Sequence, residues 1–216
     1  ISVMFTGQKC SEATELFFAT SKADARKEVL KSVDNGIGTY IDYALEQTSV
    51  SEFCFKDLIQ FSAADNVRSL ANAVDGLKPS QRKVLFSCLH RKQGEVKVAQ
   101  LAASTAELTA YHHGESSLVQ TIVSMAQNWI GTNNVAILKP NGMFGSRHNP
   151  RTEHSAERYI FTERHPIARL LFRPEDDALL QSNFDDGRKI EPFLYVPIVP
   201  FLLFNGSDGI GTGWRS

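Results

Sequence analysis

Cysteine, tryptophan and methionine are scarce in this chain of 216 residues, which contains three, two and three of them respectively. Cys10, Cys54 and Cys88 are odd in number and widely separated, so they lack the paired spacing of a zinc site or a disulfide framework. No apolar run is long enough to span a bilayer, and no signal peptide or low-complexity tail is visible. These absences favour a reducing compartment and a protein region without a membrane partner.

An excess of charge of one sign is also lacking, because 23 basic residues face 24 acidic ones and the formal net charge is −1. Bulk charge therefore gives no argument for a polyanionic partner. Charge is nevertheless segregated along the chain. Residues 175–208 are mostly acidic, whereas one stretch has Glu95 as its single acid among these cations: Lys78, Arg82, Lys83, Arg91, Lys92 and Lys97. Any contact with nucleic acid must depend on such local clusters.

Helical periodicity dominates the chain. Phe55, Leu58 and Ile59 share one face after Phe53, and Pro79 is suited to the first turn of a following helix. We predict helices over 21–30, from Pro79 onward, over Val98 to Leu108, over Gly114 to Trp129, and over His165 to Phe172. These amphipathic helices need a common core.

A short β-hairpin is predicted after the helix that ends near Trp129. Val135 to Leu138, a Pro140-Asn141-Gly142 turn and Met143 to Gly145 have the pattern of two strands joined by a turn. Two helices followed by such a wing indicate a winged helix. Residues 195–204 are strand-like but interrupted by prolines, as at a sheet edge. The predicted fold class is α+β, mainly helical, with a helix-turn-helix and a wing hairpin.

Three motifs follow one another in order: Asp75-Gly76-Leu77-Lys78-Pro79-Ser80-Gln81-Arg82-Lys83, Tyr111-His112-His113-Gly114-Glu115 and Arg158-Tyr159-Ile160-Phe161-Thr162. A tyrosine hydroxyl has an unperturbed pKa of about 10, so its attack on a phosphodiester needs cationic neighbours and a proton acceptor. Arg158 adjoins Tyr159, and the two histidines can supply the acceptor. The alternative for Tyr159 is a strand tyrosine packed into a core.

Together these motifs resemble the DNA-gate region of eukaryotic-type type IIA DNA topoisomerases. The resemblance runs from about Phe53 to Trp214, and further matching blocks are Gln127 to Asn134, Gly142 to Arg147 and Asn205 to Trp214. It implies a connector at 1–52, a winged-helix DNA-gate domain at 53–174, and at 175–216 the start of a tower-like subdomain that is cut short.

The resemblance also implies the roles of the central residues. Tyr159 becomes linked to the 5′ end of a broken strand, and Arg158 stabilises the charged phosphate. One histidine contacts that phosphate or assists proton transfer, with His113 favoured over His112, although a histidine pair is also commonly structural.

Further residues are expected to contact DNA. The family's DNA-binding helix implies phosphate contacts by Lys78, Arg82 and Lys83, for which a solvated helix face is the alternative. Arg68 and Arg147 match other basic positions, and Arg151 replaces a charge lost where this chain reads Pro150-Arg151-Thr152-Glu153-His154. Ile210, between two glycines, matches a side chain that bends DNA as a wedge; the alternative is a buried isoleucine in a turn.

Activity would require more than these residues. The family uses Mg²⁺ and ATP, both expected to bind outside this fragment, which alone is predicted to be inactive. The expected partners are double-stranded DNA and, in the parent protein, a second copy in a homodimer. The expected location is the nucleus, or host cytoplasm for a viral parent. The rival hypotheses are a non-catalytic winged-helix module that binds and bends DNA, and a region that serves chiefly as a dimer surface.

Overall fold

The computed structural model describes residues 1–31, 33 and 40–209. The chain divides into two compact units, one formed by residues 1–70 with those from 208 onward, the other by residues 71–207. A helical run from Val50 to Ser69 ends just before the first unit gives way to the second after Leu70. The domain boundaries expected at residues 52 and 174 stay a prediction from the resemblance.

The first unit is built mainly from helices. They are α1 (Gly7–Phe18), α2 (Ala23–Lys31), α3 (Val50–Phe53) and α4 (Ile59–Ser69), with a π-helical turn at Cys54–Leu58 and a 3₁₀ turn at Thr20–Lys22. Strand β1 (Ser2–Met4) pairs in parallel with β2 (Gln47–Ser49). Ala13, Phe17, Cys54 and Ile59 form the buried centre. The helix predicted over 21–30 is confirmed as the 3₁₀ turn and α2.

Three helices form the frame of the second unit: α5 (Pro79–His90), α6 (Val98–Leu108) and α7 (Glu115–Ala126). Pro79 opens α5, where its missing N–H costs nothing. Helix α6 has the predicted bounds. Helix α7 stops before the predicted Trp129 because the backbone of Gln127 turns extended, with ψ 132°. Buried residues from all three helices meet in one core, among them Leu85, Leu101, Leu118 and Ile122.

A three-stranded sheet completes the winged helix, in the order β3 (Val96–Lys97), β5 (Phe161–Arg164), β4 (Leu138–Asn141). Strand β5 pairs antiparallel with both neighbours. The winged-helix class is thus confirmed, but the predicted pairing of the wing is wrong. After Gly142 the chain runs through a long loop before it returns as β5. Pro140, which has no N–H, lies in β4 at the sheet edge.

The end of the second unit differs most from the prediction. Helix α8 (Ile167–Leu171) is shorter than predicted, and strands β6 (Ser182–Asp185) and β7 (Arg188–Pro192) form an unpredicted hairpin. Asp186 and Gly187 turn it with φ of 45° and 77°. The predicted strand-like segment is wrong: the residues after Pro200 form helix α9 (Phe201–Asn205) instead.

One buried ion pair closes the turn before α5. Asp75 is 0% exposed and Arg82 is 6% exposed. Arg82 donates from Nε to Asp75 Oδ2 at 2.7 Å and from Nη2 to Oδ1 at 3.0 Å. The backbone amides of Leu77 and Tyr195 donate to the same carboxylate, each at 3.0 Å. Every oxygen of the buried acid is therefore satisfied.

We predict that Arg82→Met lowers the free energy of unfolding by about 3–5 kcal/mol, because it leaves a buried carboxylate without its cation. Urea unfolding followed by circular dichroism measures the change. Glu107→Ala, on the exposed side of α6, is the matched control and should stay within about 0.5 kcal/mol of the parent. Equal effects of the two variants would contradict the prediction.

Candidate functional site

Tyr159 lies on a turn whose backbone is fixed while its side chain is exposed. The side chain is 68% exposed, whereas the next residue, Ile160, is 1% exposed and belongs to the core. The first amides of α6 hold this turn: Val98 N donates to Ile160 O at 3.0 Å, and Ala99 N donates to Glu157 O at 3.2 Å. The hydroxyl thus reaches solvent from a rigid base, and the predicted alternative of a core tyrosine is wrong.

Arg158 is brought together with Tyr159, as predicted. Its Cζ lies 5.0 Å from the centroid of the Tyr159 ring, within cation–π range. Both side chains are exposed. A planar guanidinium beside a phenol hydroxyl is suited to hold a phosphate by paired hydrogen bonds.

The two histidines lie on the turn between α6 and α7, just before the helix begins, as predicted. Ala110 enters this turn with φ 46°, a conformation rare for a residue with a Cβ. His112 Nε2 lies 3.2 Å from Asp185 Oδ1, and the ring of His113 packs edge-on against Tyr111 with centroids 5.3 Å apart. In the part of the chain that the structure describes, neither histidine is hydrogen-bonded to Tyr159.

Arg82 and Lys83 are mostly buried and paired with acidic residues, and their contacts with phosphate stay a prediction. Arg82 is committed to the buried carboxylate of Asp75. The side chain of Lys83 is 15% exposed and pairs with Glu191 at 2.8 Å; it also donates to Thr109 O at 2.7 Å. Lys83 thereby links α5 and β7 to the residue that ends α6. Both cations face inward because their acidic partners are buried.

Arg147 and Arg151 are exposed on the loop between β4 and β5. Glu153 organises this part of the loop, since it accepts hydrogen bonds from Ser146 Oγ and, at 2.7 Å, from Asn149 Nδ2. These bonds, the one from Ser146 foremost, lower the pKa of Glu153 below its ordinary value. The turn therefore exposes two cations close in sequence to one hydrogen-bonded carboxylate.

The remaining predicted DNA contacts lie apart in the sequence. Lys78 is half-buried at the start of α5, where its amide donates to Gln81 Oε1 at 2.9 Å. Arg68, near the end of α4, is exposed and pairs with Asp65 at 2.5 Å. Ile210 lies outside the described residues. Gly209 precedes it, and a Cβ there would be 2.6 Å from Ser69 O, so only glycine fits.

Two residues without a role predicted from the sequence complete the site. Gln127 donates to the carbonyls of Phe144, at 2.8 Å, and Pro150, at 2.6 Å, and so holds the loop onto the end of α7. Asp185 contacts His112, although its acidic surroundings in the sequence favour a solvated surface position. Both residues are placed by contacts between distant parts of the chain, for which the sequence carries no local signal.

Metal ligands and membrane spans are absent from the part of the chain that the structure describes. Within residues 1–31, 33 and 40–209, no three His, Cys, Asp or Glu side chains are grouped so that they could hold a metal ion. None of the helices in the same ranges has the length and apolar character needed to cross a membrane. Cys10, Cys54 and Cys88 are free and buried, and burial raises the pKa of Cys88 to about 12.

The fold and the loop define a winged-helix protein that exposes a tyrosine–arginine pair beside its wing. Residues 68–216 match the family of the DNA gyrase/topoisomerase IV A subunit, and residues 1–66 match the C-terminal associated domain of TOPRIM. The chain belongs to this DNA gyrase/topoisomerase IV family. The resemblance predicted from the motifs is confirmed, and residues 1–66 match a second family model of their own.

Individual proteins similar to this chain are named as type II topoisomerases. DNA topoisomerase 2 of Candida glabrata is 50% identical over 203 residues, which cover 94% of this chain and 14% of that protein. DNA topoisomerase 2-alpha of Sus scrofa is 46% identical over 225 residues, covering 99% and 15%. A crystal structure of the Plasmodium falciparum topoisomerase II DNA-binding, cleavage and re-ligation domain is 43% identical, with a TM-score of 0.78, covering 99% of this chain and 29% of that one. The chain thus spans about one-seventh of these curated relatives.

The depressed pKa of Glu153 generates a prediction with a definite sign. The hydrogen bonds of the folded loop favour the ionised form of Glu153. Glu153 therefore stabilises the folded loop at pH values above the pKa that the carboxyl has in the unfolded chain. This stabilisation is lost as the pH falls through the lower pKa of the folded state. In an NMR titration, the Glu153 carboxylate should have its midpoint below 4.5, the ordinary value. Ser146→Ala should move the midpoint upward. A midpoint that is unchanged by this substitution would count against the prediction.

Proposed function

We propose that this chain is the DNA-gate portion of an ATP-dependent type II DNA topoisomerase, in which Tyr159 breaks and reseals the DNA backbone. The observation that carries the proposal is the exposed Tyr159–Arg158 pair on a turn fixed by the first amides of α6. A packing tyrosine would be buried. The names of the relatives support the same activity.

The chemistry is a reversible transesterification. The Tyr159 hydroxyl oxygen attacks a backbone phosphorus, a P–O bond forms, and the phosphorus–O3′ bond breaks. The phenol proton passes to an acceptor, and the leaving 3′ oxygen takes up a proton. The product is a phosphotyrosine at the 5′ end. Since one phosphodiester replaces another, the reverse attack by the 3′ hydroxyl reseals the strand without external fuel.

Charge near Tyr159 would stabilise the transition state. Arg158 is the nearest cation to the phenol ring among the described contacts, and its guanidinium fits the equatorial oxygens of the phosphate. We assign proton transfer or phosphate contact to His113, with His112 second, because His112 already shares Nε2 with Asp185. These two assignments rest on the motif and on the exposure of both rings.

DNA would be held by exposed cations, chiefly Arg147 and Arg151, with Lys78 and Arg68 as further contacts. Phosphate contacts of this kind set the position of a duplex without reading its sequence. Arg82 and Lys83, which the sequence also predicts to contact phosphates, support the site from within through Asp75 and Glu191. In the proposal Ile210 keeps its role as the wedge that bends the duplex.

The complete protein would need partners and cofactors beyond this chain. Cleavage in this family is assisted by a divalent ion, and the described residues contain no group of three His, Cys, Asp or Glu side chains that could hold one. We place Mg²⁺ and ATP in other parts of the polypeptide. The proposed partners are double-stranded DNA and a second copy of the protein. The proposed location is the nucleus, or host cytoplasm if the parent is viral.

A winged helix that only binds and bends DNA is the rival function. It would use the same exposed cations, but it would have no use for an exposed phenol beside a guanidinium. The two functions therefore differ in what happens at Tyr159.

We predict that the full-length protein, incubated with supercoiled plasmid and Mg²⁺ and then denatured with detergent, is recovered covalently attached to 5′ DNA ends. Tyr159→Phe lacks the nucleophile and should form no adduct, while it retains DNA binding. Tyr111→Phe, in the histidine turn, is the matched control. Adducts that persist in Tyr159→Phe would place the nucleophile elsewhere; binding and bending without adducts in any variant would favour the rival.

The loop cations generate a second prediction. In a full-length Tyr159→Phe background, which prevents covalent linkage, Arg147→Ala and Arg151→Ala should each flatten the log–log dependence of DNA affinity on salt by about 0.9, since each removes one phosphate contact. Lys92→Ala, on the turn after α5, is the charge-matched control. If the two variants show the same salt dependence as the control, neither arginine contacts a DNA phosphate.

A further inference from the structure

Two glutamines, one on α7 and one directly after it, face the loop that carries Tyr159. Gln120 and Gln127 are seven residues apart, which is about two helical turns, so they lie on one side of the helix and its end. Gln127 is 2% exposed and Gln120 is exposed. Both side chains contact the segment between Gly142 and Ile160. This segment is therefore bonded to the middle of α7 through Gln120 and to the residue after its end through Gln127.

Gln127 makes the buried contact. Besides its two bonds to carbonyl oxygens of the loop, it approaches Gly145, where an added Cβ would lie 3.3 Å from Gln127 Nε2 and 2.9 Å from Pro150 O. Gly145 has φ 101°, which a residue with a Cβ rarely adopts. A residue with a side chain would therefore not fit at position 145 in this backbone. This contact belongs to the core and sets the fold of the loop.

Gln120 makes the exposed contact, with His154. The two Nε2 atoms are 2.8 Å apart, and His154 Nδ1 lies 2.9 Å from Ser155 O. A carbonyl oxygen only accepts, so Nδ1 carries the hydrogen and Nε2 of the neutral ring accepts from the Gln120 amide. If the ring is protonated, rotation of the amide presents its oxygen to Nε2 instead. The link is therefore kept in both charge states.

The position of His154 ties this link to Tyr159. His154 forms an isolated β-bridge with Phe144, and Ser155 N donates to Met143 O at 2.9 Å. A few residues later the turn around Tyr159 is bonded to the first amides of α6. The short segment from His154 to Ile160 is thus held by α7 at one end and by α6 at the other. If this segment were bonded to only one of the two helices, the turn that carries Tyr159 could change its orientation.

We propose that Gln120 and His154 are positioning residues for Tyr159, which couple the exposed face of α7 to the tyrosine turn. The proposal rests on the proposed function of Tyr159. Neither side chain takes part in bond making. Their contact fixes the position of the phenol oxygen relative to α7, and reaction rates depend steeply on the placement of the reacting atoms.

The test compares full-length Gln120→Ala, His154→Ala and the double variant. The readouts are the rate of covalent adduct formation at saturating DNA, and the DNA dissociation constant in a Tyr159→Phe background. Each single variant should slow adduct formation by between about ten- and a hundredfold with an unchanged dissociation constant. The double variant should lose no more than either single one, because both remove the same contact. Ser116→Ala, exposed at the start of α7, should have no effect.

His154→Gln provides a rescue, because its amide can still pair with Gln120, and it should recover most of the rate. A merely structural role would instead lower thermal stability and affinity together, without rescue. Multiplicative losses in the double variant, weaker DNA binding in Gln120→Ala alone, or rates equal to the parent would each overturn the proposal. These outcomes are distinct from failure of the proposed function, in which the parent protein itself forms no adduct.

Discussion

The buried carboxylate of Asp75 is the constraint on which the second unit depends. It takes the guanidinium of Arg82 and the amides of Leu77 and Tyr195, and so joins the start of α5 to the chain that follows β7. Lys83, the next residue on α5, pairs with Glu191 and caps the end of α6. Through these bonds one helix holds the histidine turn, the β6–β7 hairpin and the core in one arrangement.

Cations are thus divided between two tasks. Those on α5 are buried and hold the fold together, where breaking a pair is costly because its partner stays buried. Those on the loop around Glu153 are exposed, and Glu153 is bonded to Ser146 and Asn149 rather than to either arginine. A basic motif in a sequence therefore does not by itself mark a surface. The acidic residues close in space decide whether a cation faces water or protein.

Local sequence patterns predict much of this structure, but they do not predict the contacts between residues that are far apart in the sequence. Helix α6, the winged-helix class and the exposed Tyr159–Arg158 pair followed from periodicity and motif. The wing was paired wrongly because β5 lies far along the chain from β4, and short-range turn signals favour a local hairpin. The burial of the Asp75–Arg82 pair has no local signal in the sequence, because it involves Tyr195, 120 residues away. The β6–β7 hairpin was within reach, since Asp186-Gly187 is a strong turn signal.

The anchoring of the Tyr159 backbone to α6 also limits what can move. A side chain with two rotatable bonds can swing, but the main chain on both sides is bonded to the helix and buried through Ile160. Under the proposed chemistry, a DNA end joined to this tyrosine would stay within one side-chain length of the winged helix. If two broken ends separate, the linked end would then move together with the winged helix as one body. Its phosphotyrosine would keep its position relative to the winged helix until the strand is rejoined.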